Sequence, residues 1–470
     1  GIVGNDEQRK KAVTAIASEK IMWRRAIPVI AYRCGTTRSL PHSYVQKIVS
    51  PDDAAMIFFT SGTTADPKGV VHTHKSLMAN IQAVHTKFGI QRNDILLSFL
   101  PISHIFQQVA DSLMLFAGAS IAYIDNPLFI KSAFLEIEPT CMTVAPQILE
   151  NLCHATKTKI RKTSQLATLA VTMGANKFSD SRMTRMLAKA INPILRPIRK
   201  KVAQKIFGSQ FRFFISGGAH LESSIAAYIH GGLETAVWQG WGMTEIGGAG
   251  SCNDATLNIL GSCGLPLTGV EIKIAPCHDI SPKLRALGTG EIWIKGDTCF
   301  AGYYEDTAAT NEVMLLDGFF KTGDLGHFGP HGELWIDGRK KEFIVLTSGL
   351  KVMPSVLEDK LRALCPLIEQ IVIVGDGKPH ITALIWPRKT EVEKHTTKPF
   401  DEKSPWNATT RTIIMEEIKK INLALHERIK DIAFLPEPLT IDAETLTPTK
   451  KPKRTIINKK YKHLIESLYR

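Results

Sequence analysis

The sequence predicts an α/β fold: a large N-terminal domain of mostly parallel sheets with helices, carrying a β-rich subdomain, and a small, mobile α+β C-terminal domain. Three observations predict it. Over the first half, apolar β-type runs alternate with longer amphipathic segments, the pattern of a mostly parallel α/β sheet. From about Gly264 the strands shorten and the turns come closer, as in "VEIKIAP" and "EIWIKGD", which reads as a β-rich subdomain over residues 264–338. At "WIDGRKKEF" a glycine and a charge cluster separate two apolar runs, and a hinge is expected there, dividing residues 1–338 from 339–470.

In chain order, "AAMIFFTSG", "DILLSFLP", "ASIAYID", "PTCMTVAP", "FRFFISGGA" and "TAVWQGWG" are the expected strands of the large domain. Several end in Gly, Ser or Thr, and in open α/β sheets ligands gather at strand ends. Beyond the hinge, "PSVLEDKLRAL" has helical spacing, "IVIVGDGKPHITALIW" reads as a hairpin, and a basic segment follows. There are no internal repeats. The polar stretch from Thr390 to Asn407 is expected to be a surface loop.

Composition narrows the function classes. The chain has 470 residues, 44% apolar and 22% charged, enough to bury a sizeable core in more than one domain. No stretch approaches about eighteen uninterrupted apolar residues, and the first thirty or so lack the order of a signal peptide. A cytoplasmic location is therefore expected. The eight cysteines include no Cys-x-x-Cys pair, which argues against a zinc site or a disulfide framework. The formal charge of +13 favours anionic partners. Its basic clusters, Arg196 to Lys205 and Lys450 to Lys462, lack the interleaved aromatics of a nucleic-acid reader, so no nucleic-acid partner is expected.

The most informative stretch is "FFTSGTTADPKGVVHTHKSL", Phe58 to Leu77. Small residues after a strand let backbone N–H groups turn inward as an anion nest; the hydroxyls of Thr60, Ser61, Thr63 and Thr64 add donors around Gly62, and Lys68 adds a mobile charge. Such a loop suits a polyphosphate, although it lacks the Walker spacing. It has companions further on. "SGGAHL" and "QGWGMTE" end strands, the second with Thr244 and Glu245 adjacent. "FKTGDLG" offers Asp324, "DGRKKE" offers Arg339, and "LTPTKKPKR" offers a late lysine.

In this order, from about Phe58 onward, the motifs resemble those of the adenylate-forming superfamily of acyl-CoA synthetases, luciferases and peptide-synthetase adenylation domains. Within it the chain is most similar to long-chain fatty-acid CoA ligases, through "FLPISHIFQQV", "IEPTCMTVAPQILENL" and "LTPTKKPKRTIINKKY". The resemblance implies an enzyme that uses ATP and Mg²⁺ to turn a long-chain fatty acid into acyl-AMP and then hands the acyl group to CoA. It implies that Thr60 to Lys68 hold the β- and γ-phosphates, Thr244 the α-phosphate, and Glu245 the metal. Asp324 would accept from the ribose hydroxyls with Arg339 nearby, Gly218, Ala219, Gly240 and Trp241 would frame the adenine, and His104 would lie near the reacting carboxylate. The family tail reads Lys-x-x-Arg; Lys451 and Arg454 fit that spacing, which makes Lys451 rather than Lys450 the catalytic lysine. The family pivot falls on Lys341.

Two departures matter. Where the family loop has a sixth-position Gly, this chain has Ala65, and a side chain costs about 1 kcal/mol to reach positive φ. The opening "GIVGNDEQRKKAVTAI" resembles a segment lying shortly before the phosphate loop, so further N-terminal strands are expected to precede Gly1. Two alternatives stay open: an acyl-AMP ligase that delivers to a carrier protein, and a catalytically impaired relative that binds nucleotide or lipid. A last feature is the helix-like Ile194 to Phe207. Ile194, Ile198, Val202 and Ile206 share one face, with Arg196, Arg199, Lys200, Lys201 and Lys205 on the remainder. The expectation is a helix packed on its own domain, with peripheral membrane contact as the alternative.

Overall fold

The computed structural model describes residues 49–60, 68–124, 126–179, 181–277, 280, 282–340, 342–395, 407–446 and 451–469. At the centre of the large domain stand β3 (Ile95–Ser98), β4 (Ser120–Tyr123), β5 (Cys141–Val144), β6 (Phe213–Ser216) and β7 (Ala236–Trp241), parallel in the order β4-β3-β5-β6-β7. The sheet ends with two antiparallel strands, β8 (Ser251–Cys252) and β9 (Leu265–Pro266). Successive side chains of a strand point to opposite faces, and both faces are covered. Phe213 of β6 stacks on Trp238 beneath the His74–Phe88 and Ile105–Phe116 helices, whereas Phe214 packs among Phe134, Phe207 and Phe211 on the other side.

One expected strand belongs elsewhere. The sequence pattern groups "AAMIFFTSG" with the parallel strands, but β1 (Ala54–Thr60) pairs antiparallel with β2 (Lys68–Thr73), and β2 pairs with β12 (Gly302–Tyr303). Only residues 61–67 separate β1 from β2, too few for the crossover that a parallel pair needs. The β-rich subdomain is a wholly antiparallel sheet of β10 (Val270–Pro276), β11 (Gly290–Gly296), β13 (Phe320–Phe328) and β14 (Leu334–Arg339). The next pair, β15 (Ile344–Val345) and β16 (Lys351–Val352), begins the small domain. There β17 (Ile368–Val374) and β18 (Thr382–Pro387) form the expected hairpin, β19 (Ile432–Phe434) adds in parallel, and the Pro354–Leu364 and Ala408–Lys419 helices close a separate apolar core.

The seam between the domains is tight and charged. Arg362 of the Pro354–Leu364 helix reaches Glu150 Oε2 of the Pro146–Thr163 helix at 3.1 Å and Asp359 Oδ1 at 2.7 Å. One turn on, His154 lies 3.0 Å from Glu391. At Gly338, φ is +138°, a conformation that favours glycine, and a Cβ there would stand 1.7 Å from Met353 Sδ, so the thioether would have to shift to admit one.

The Arg182–Phe207 helix buries a different stripe from the expected one. Ala188, Leu195, Arg199, Ala203 and Phe207 face inward, and Ile194 faces out. Arg199, assigned by its charge to the outer face, is fully buried because Glu234 Oε1 accepts from its Nε and Nη2 at 3.0 and 2.7 Å. A buried charge is tolerated when it is paired and hydrogen-bonded.

Candidate active site

The phosphate-loop segment is held at its base. Thr60 pairs with Lys68 across the hairpin, and the Thr60 hydroxyl donates to the Lys68 carbonyl at 3.4 Å. Ser61, Gly62, Thr63, Thr64 and Ala65 lie outside the described residues. Four residues along β2, the buried His72 Nε2 stands 2.7 Å from the Thr244 carbonyl. A carbonyl can only accept, so Nε2 carries the proton. Burial holds the His72 pKa below its ordinary value, favouring the neutral ring. This contact ties the strand that leaves the phosphate loop to the turn carrying Thr244 and Glu245.

That turn follows β7 and doubles back sharply. A Cβ on Gly242 would lie 2.1 Å from the Gly248 carbonyl, and Gly247 and Gly248 both have positive φ. These glycines explain "GMTEIGG": the chain must reverse closely to present Glu245. The Glu245 carboxylate is buried, and Tyr303 of β12 donates its hydroxyl to Oε1 at 3.0 Å. Burial raises the Glu245 pKa, opposed by its own backbone N–H, the Tyr303 hydroxyl and the Arg339 charge. The Tyr303 ring also receives Lys68 Nζ, 4.8 Å from its centroid, a cation–π contact. Tyr303 thus joins the phosphate-loop lysine to the acidic turn.

The subdomain supplies a second acid. Register in β13 and β14 sets Asp324 directly opposite Arg339, with Arg339 Nε 2.8 Å from Oδ1. Trp241, expected beside the adenine, is buried and donates its indole N–H to Asp324 Oδ2 at 2.8 Å. The Asp324 charge raises the Arg339 pKa. Gly218 (φ +83°) and Ala219 lie exposed just beyond the end of β6, and Gly240 lies within β7 against Cys252.

Lys451 enters this cleft from the small domain. Its register is anchored three residues on, where Arg454 Nη2 donates to Glu358 Oε2 at 2.6 Å, and by Lys453 N donating to the Thr445 carbonyl at 2.9 Å. Lys451 keeps contact with solvent, yet protein crowds it enough to lower its pKa; the Arg339 charge adds to that, while Asp324, Glu342 and Asp359 oppose it. His104, at the start of the Ile105–Phe116 helix, has its pKa lowered by burial and then by the Lys451 charge. Its Nε2 is buried with no hydrogen-bond partner among the described residues, an acceptor or donor left for a ligand.

Of the predicted residues, Lys68 and Glu245 thus join through Tyr303, Trp241 and Arg339 join through Asp324, and Lys451, from the small domain, lies within range of the Asp324 and Arg339 charges and acts on His104. Lys341 and Lys450 lie outside the described residues. Sequence reasoning missed His72 and Tyr303. "GVVHTH" and "GYYED" carry no chemical signature of their own, and their partners lie 172 and 58 residues away.

Residues 4–304 match the AMP-binding enzyme family, and residues 341–470 match the AMP-binding enzyme C-terminal domain. This chain belongs to the AMP-binding enzyme family. Among relatives of this AMP-binding enzyme, a long-chain-fatty-acid–CoA ligase of Mycobacterium bovis is 30% identical, over 89% of this chain and 69% of that protein. A chloroplastic long-chain-fatty-acid–[acyl-carrier-protein] ligase of Arabidopsis thaliana is 27% identical, over 91% of this chain but 63% of its own length. Among solved structures, the adenylation domain of a carboxylate reductase from Mycobacterium chelonae superimposes with a TM-score of 0.69 at 22% identity, covering 89% of this chain and 60% of that one. The fold is thus the adenylate-forming one, a large N-terminal domain with a smaller C-terminal domain. The chain spans roughly two thirds of the length of the curated relatives it matches.

A divalent metal fits this AMP-binding site in one way. Among the described residues no three His, Cys, Asp or Glu side chains gather to cage an ion, but Mg²⁺ is commonly held by one or two carboxylates together with substrate phosphates. Glu245, beside the base of the phosphate loop, has the chemistry for that.

Proposed function

We propose that this AMP-binding enzyme is an ATP-dependent long-chain fatty acid–CoA ligase. The observation that carries the reading is the convergence of Lys451, from the small domain, with the Asp324–Arg339 pair and with His104. A fatty carboxylic acid is ionised near neutral pH, so the first half-reaction needs no general base. It needs two anions brought together and charge at phosphorus stabilised by fixed donors and cations.

In this reading the carboxylate oxygen attacks the α-phosphorus, and the bond to pyrophosphate breaks. Lys451 neutralises charge between the carboxylate and the α-phosphate, and His104 faces the carboxylate. Thr244 contacts the α-phosphate, while Thr60 to Lys68 hold the β- and γ-phosphates. Asp324, fixed by Trp241 and Arg339, accepts from the ribose hydroxyls, and Gly218, Ala219 and Gly240 border the adenine. Mg²⁺ on Glu245 would neutralise phosphate charge. The thiol of CoA then attacks the acyl carbon, the acyl–phosphate bond breaks, and AMP leaves, after Lys451 has swung away with its domain.

The test is to follow pyrophosphate release with ATP, Mg²⁺ and palmitate, with and without CoA. The reading expects release and a CoA thioester; it expects Lys451→Ala to lose release while still converting supplied acyl-AMP to thioester. Acyl-AMP without any CoA thioester would favour delivery to a carrier protein, the reading that the name of the Arabidopsis relative supports. No release at all would favour an impaired nucleotide-binding relative.

A further inference from the structure

The Arg182–Phe207 helix has a second apolar face that its own domain does not use. Met183, Met186, Leu187 and Ile194 are 80%, 63%, 53% and 75% exposed. Their spacings of three, four and seven residues put them on one side of a 3.6-residue helix. That side lies opposite the inward stripe of Ala188, Leu195, Arg199 and Ala203. The adjacent Gln165–Ala175 helix, packed on it, exposes Leu166 and Leu169 as well. Isolated exposed apolar residues need no explanation, but a contiguous stripe marks an interaction surface.

Charge selects the occupant. Seven residues beyond Ile194 the same outward face continues as Lys201, then Lys205, with Arg182, Lys189 and Lys200 exposed along its border. The helix contains no Asp or Glu. The acid beside it, Glu234, is committed to Arg199, Arg196 and Lys177. An apolar stripe bordered, among the described residues, by cations is complementary to a surface that is apolar within and anionic at its rim, as a lipid bilayer with acidic headgroups is. Unbranched methionines adapt to a surface without fixed shape. Among the described residues no helix is long and apolar enough to cross a membrane, so attachment here would be in the plane of the interface.

We propose that the outward face of the Arg182–Phe207 helix seats this chain on anionic lipid. Met183, Met186, Leu187 and Ile194 enter the acyl boundary, and the bordering lysines and arginines meet the headgroups. The inference rests on exposure and charge and stands whether or not the chain proves to be a fatty acid–CoA ligase.

The test is co-sedimentation of the full chain with phosphatidylcholine vesicles, with and without phosphatidylglycerol. Binding is expected only with phosphatidylglycerol and is expected to weaken as salt rises. Each base at the surface is worth roughly fivefold in partition, so Lys200→Glu with Lys201→Glu should lower binding at least about thirtyfold. Met183→Ser with Ile194→Ser should lower it at least about tenfold. All four positions are exposed, and unchanged circular dichroism and melting would confirm that the variants fold. Lys419→Glu with Lys459→Glu, the same charge change on the small domain, should leave binding largely intact. The proposal is overturned if no vesicle is bound, if that control pair loses as much binding as the helix pair, or if Ile194→Asp instead dissociates a dimer, which would give the face to a second copy of the chain.

Discussion

Arg362→Ala is the perturbation with the clearest structural magnitude. Arg362 is mostly buried and bridges the domains, touching Glu150 at 3.1 Å and Asp359 at 2.7 Å. Hydrogen bonds to charged groups contribute about 1.5–3 kcal/mol, and truncating one partner leaves the others desolvated and unpaired. Taking about 2 kcal/mol on the docking of the small domain, the equilibrium moves roughly thirtyfold away from the arrangement that places Lys451 in the cleft. Each domain keeps its own core, so global unfolding should change less than domain docking. If the ligase reading holds, pyrophosphate release should slow by up to that factor, while thioester formation from supplied acyl-AMP should not. Glu150→Gln should lose part of the same effect, and the double variant less than the sum of the two, with a coupling of about 1–2 kcal/mol. Unchanged release in Arg362→Ala, or strict additivity with Glu150→Gln, would refute the idea that this ion pair holds the productive orientation.

Three further outcomes are expected. Burial, with Glu358 and Glu150 nearby, pushes the Asp359 pKa up to about 7 despite Arg362. A raised carboxyl contributes its full stability below the ordinary carboxylate range and loses it as pH rises through about 7; urea midpoints should therefore fall across that window, and Asp359→Asn should flatten the dependence. Tyr303→Phe removes the donor to Glu245 but keeps a ring under Lys68, so the Glu245 pKa should rise further; if the proposed reading holds and Glu245 ligates Mg²⁺, pyrophosphate release should require roughly tenfold more Mg²⁺, and an unchanged Mg²⁺ titration would contradict the link. Glu234→Gln strips the fully buried Arg199 of its counter-charge and should cost about 3 kcal/mol in denaturant unfolding without touching the cleft.

The strands of the parallel sheet were legible because β3 to β7 are short apolar runs separated by amphipathic helices, a spacing that suits parallel crossovers but leaves the strand order open. β1 looked the same as its neighbours, since a hydrophobic run does not announce its partner; the brevity of residues 61–67 decides its antiparallel pairing. Asp324, Arg339, Glu245 and Lys451 could be singled out because each sits in a motif that resembles one of the adenylate-forming superfamily. Tyr303, His72 and the Arg362–Glu150 pair could not, because they matter only through partners that folding brings from 58 to 212 residues away. Arg199 misled for a related reason: a charged side chain reads as exposed until its counter-ion, here 35 residues on, is placed.

Gly338 marks how closely the small domain approaches the last strand of the subdomain. It is the last residue before Arg339, and the sulfur of Met353 fills the space where any side chain would begin. A lone methyl at that point would strain a backbone whose φ of +138° side-chain-bearing residues rarely adopt, and would oblige the Met353 thioether to move aside. The bare backbone there lets the Met353 thioether of the small domain lie directly against the last strand of the subdomain.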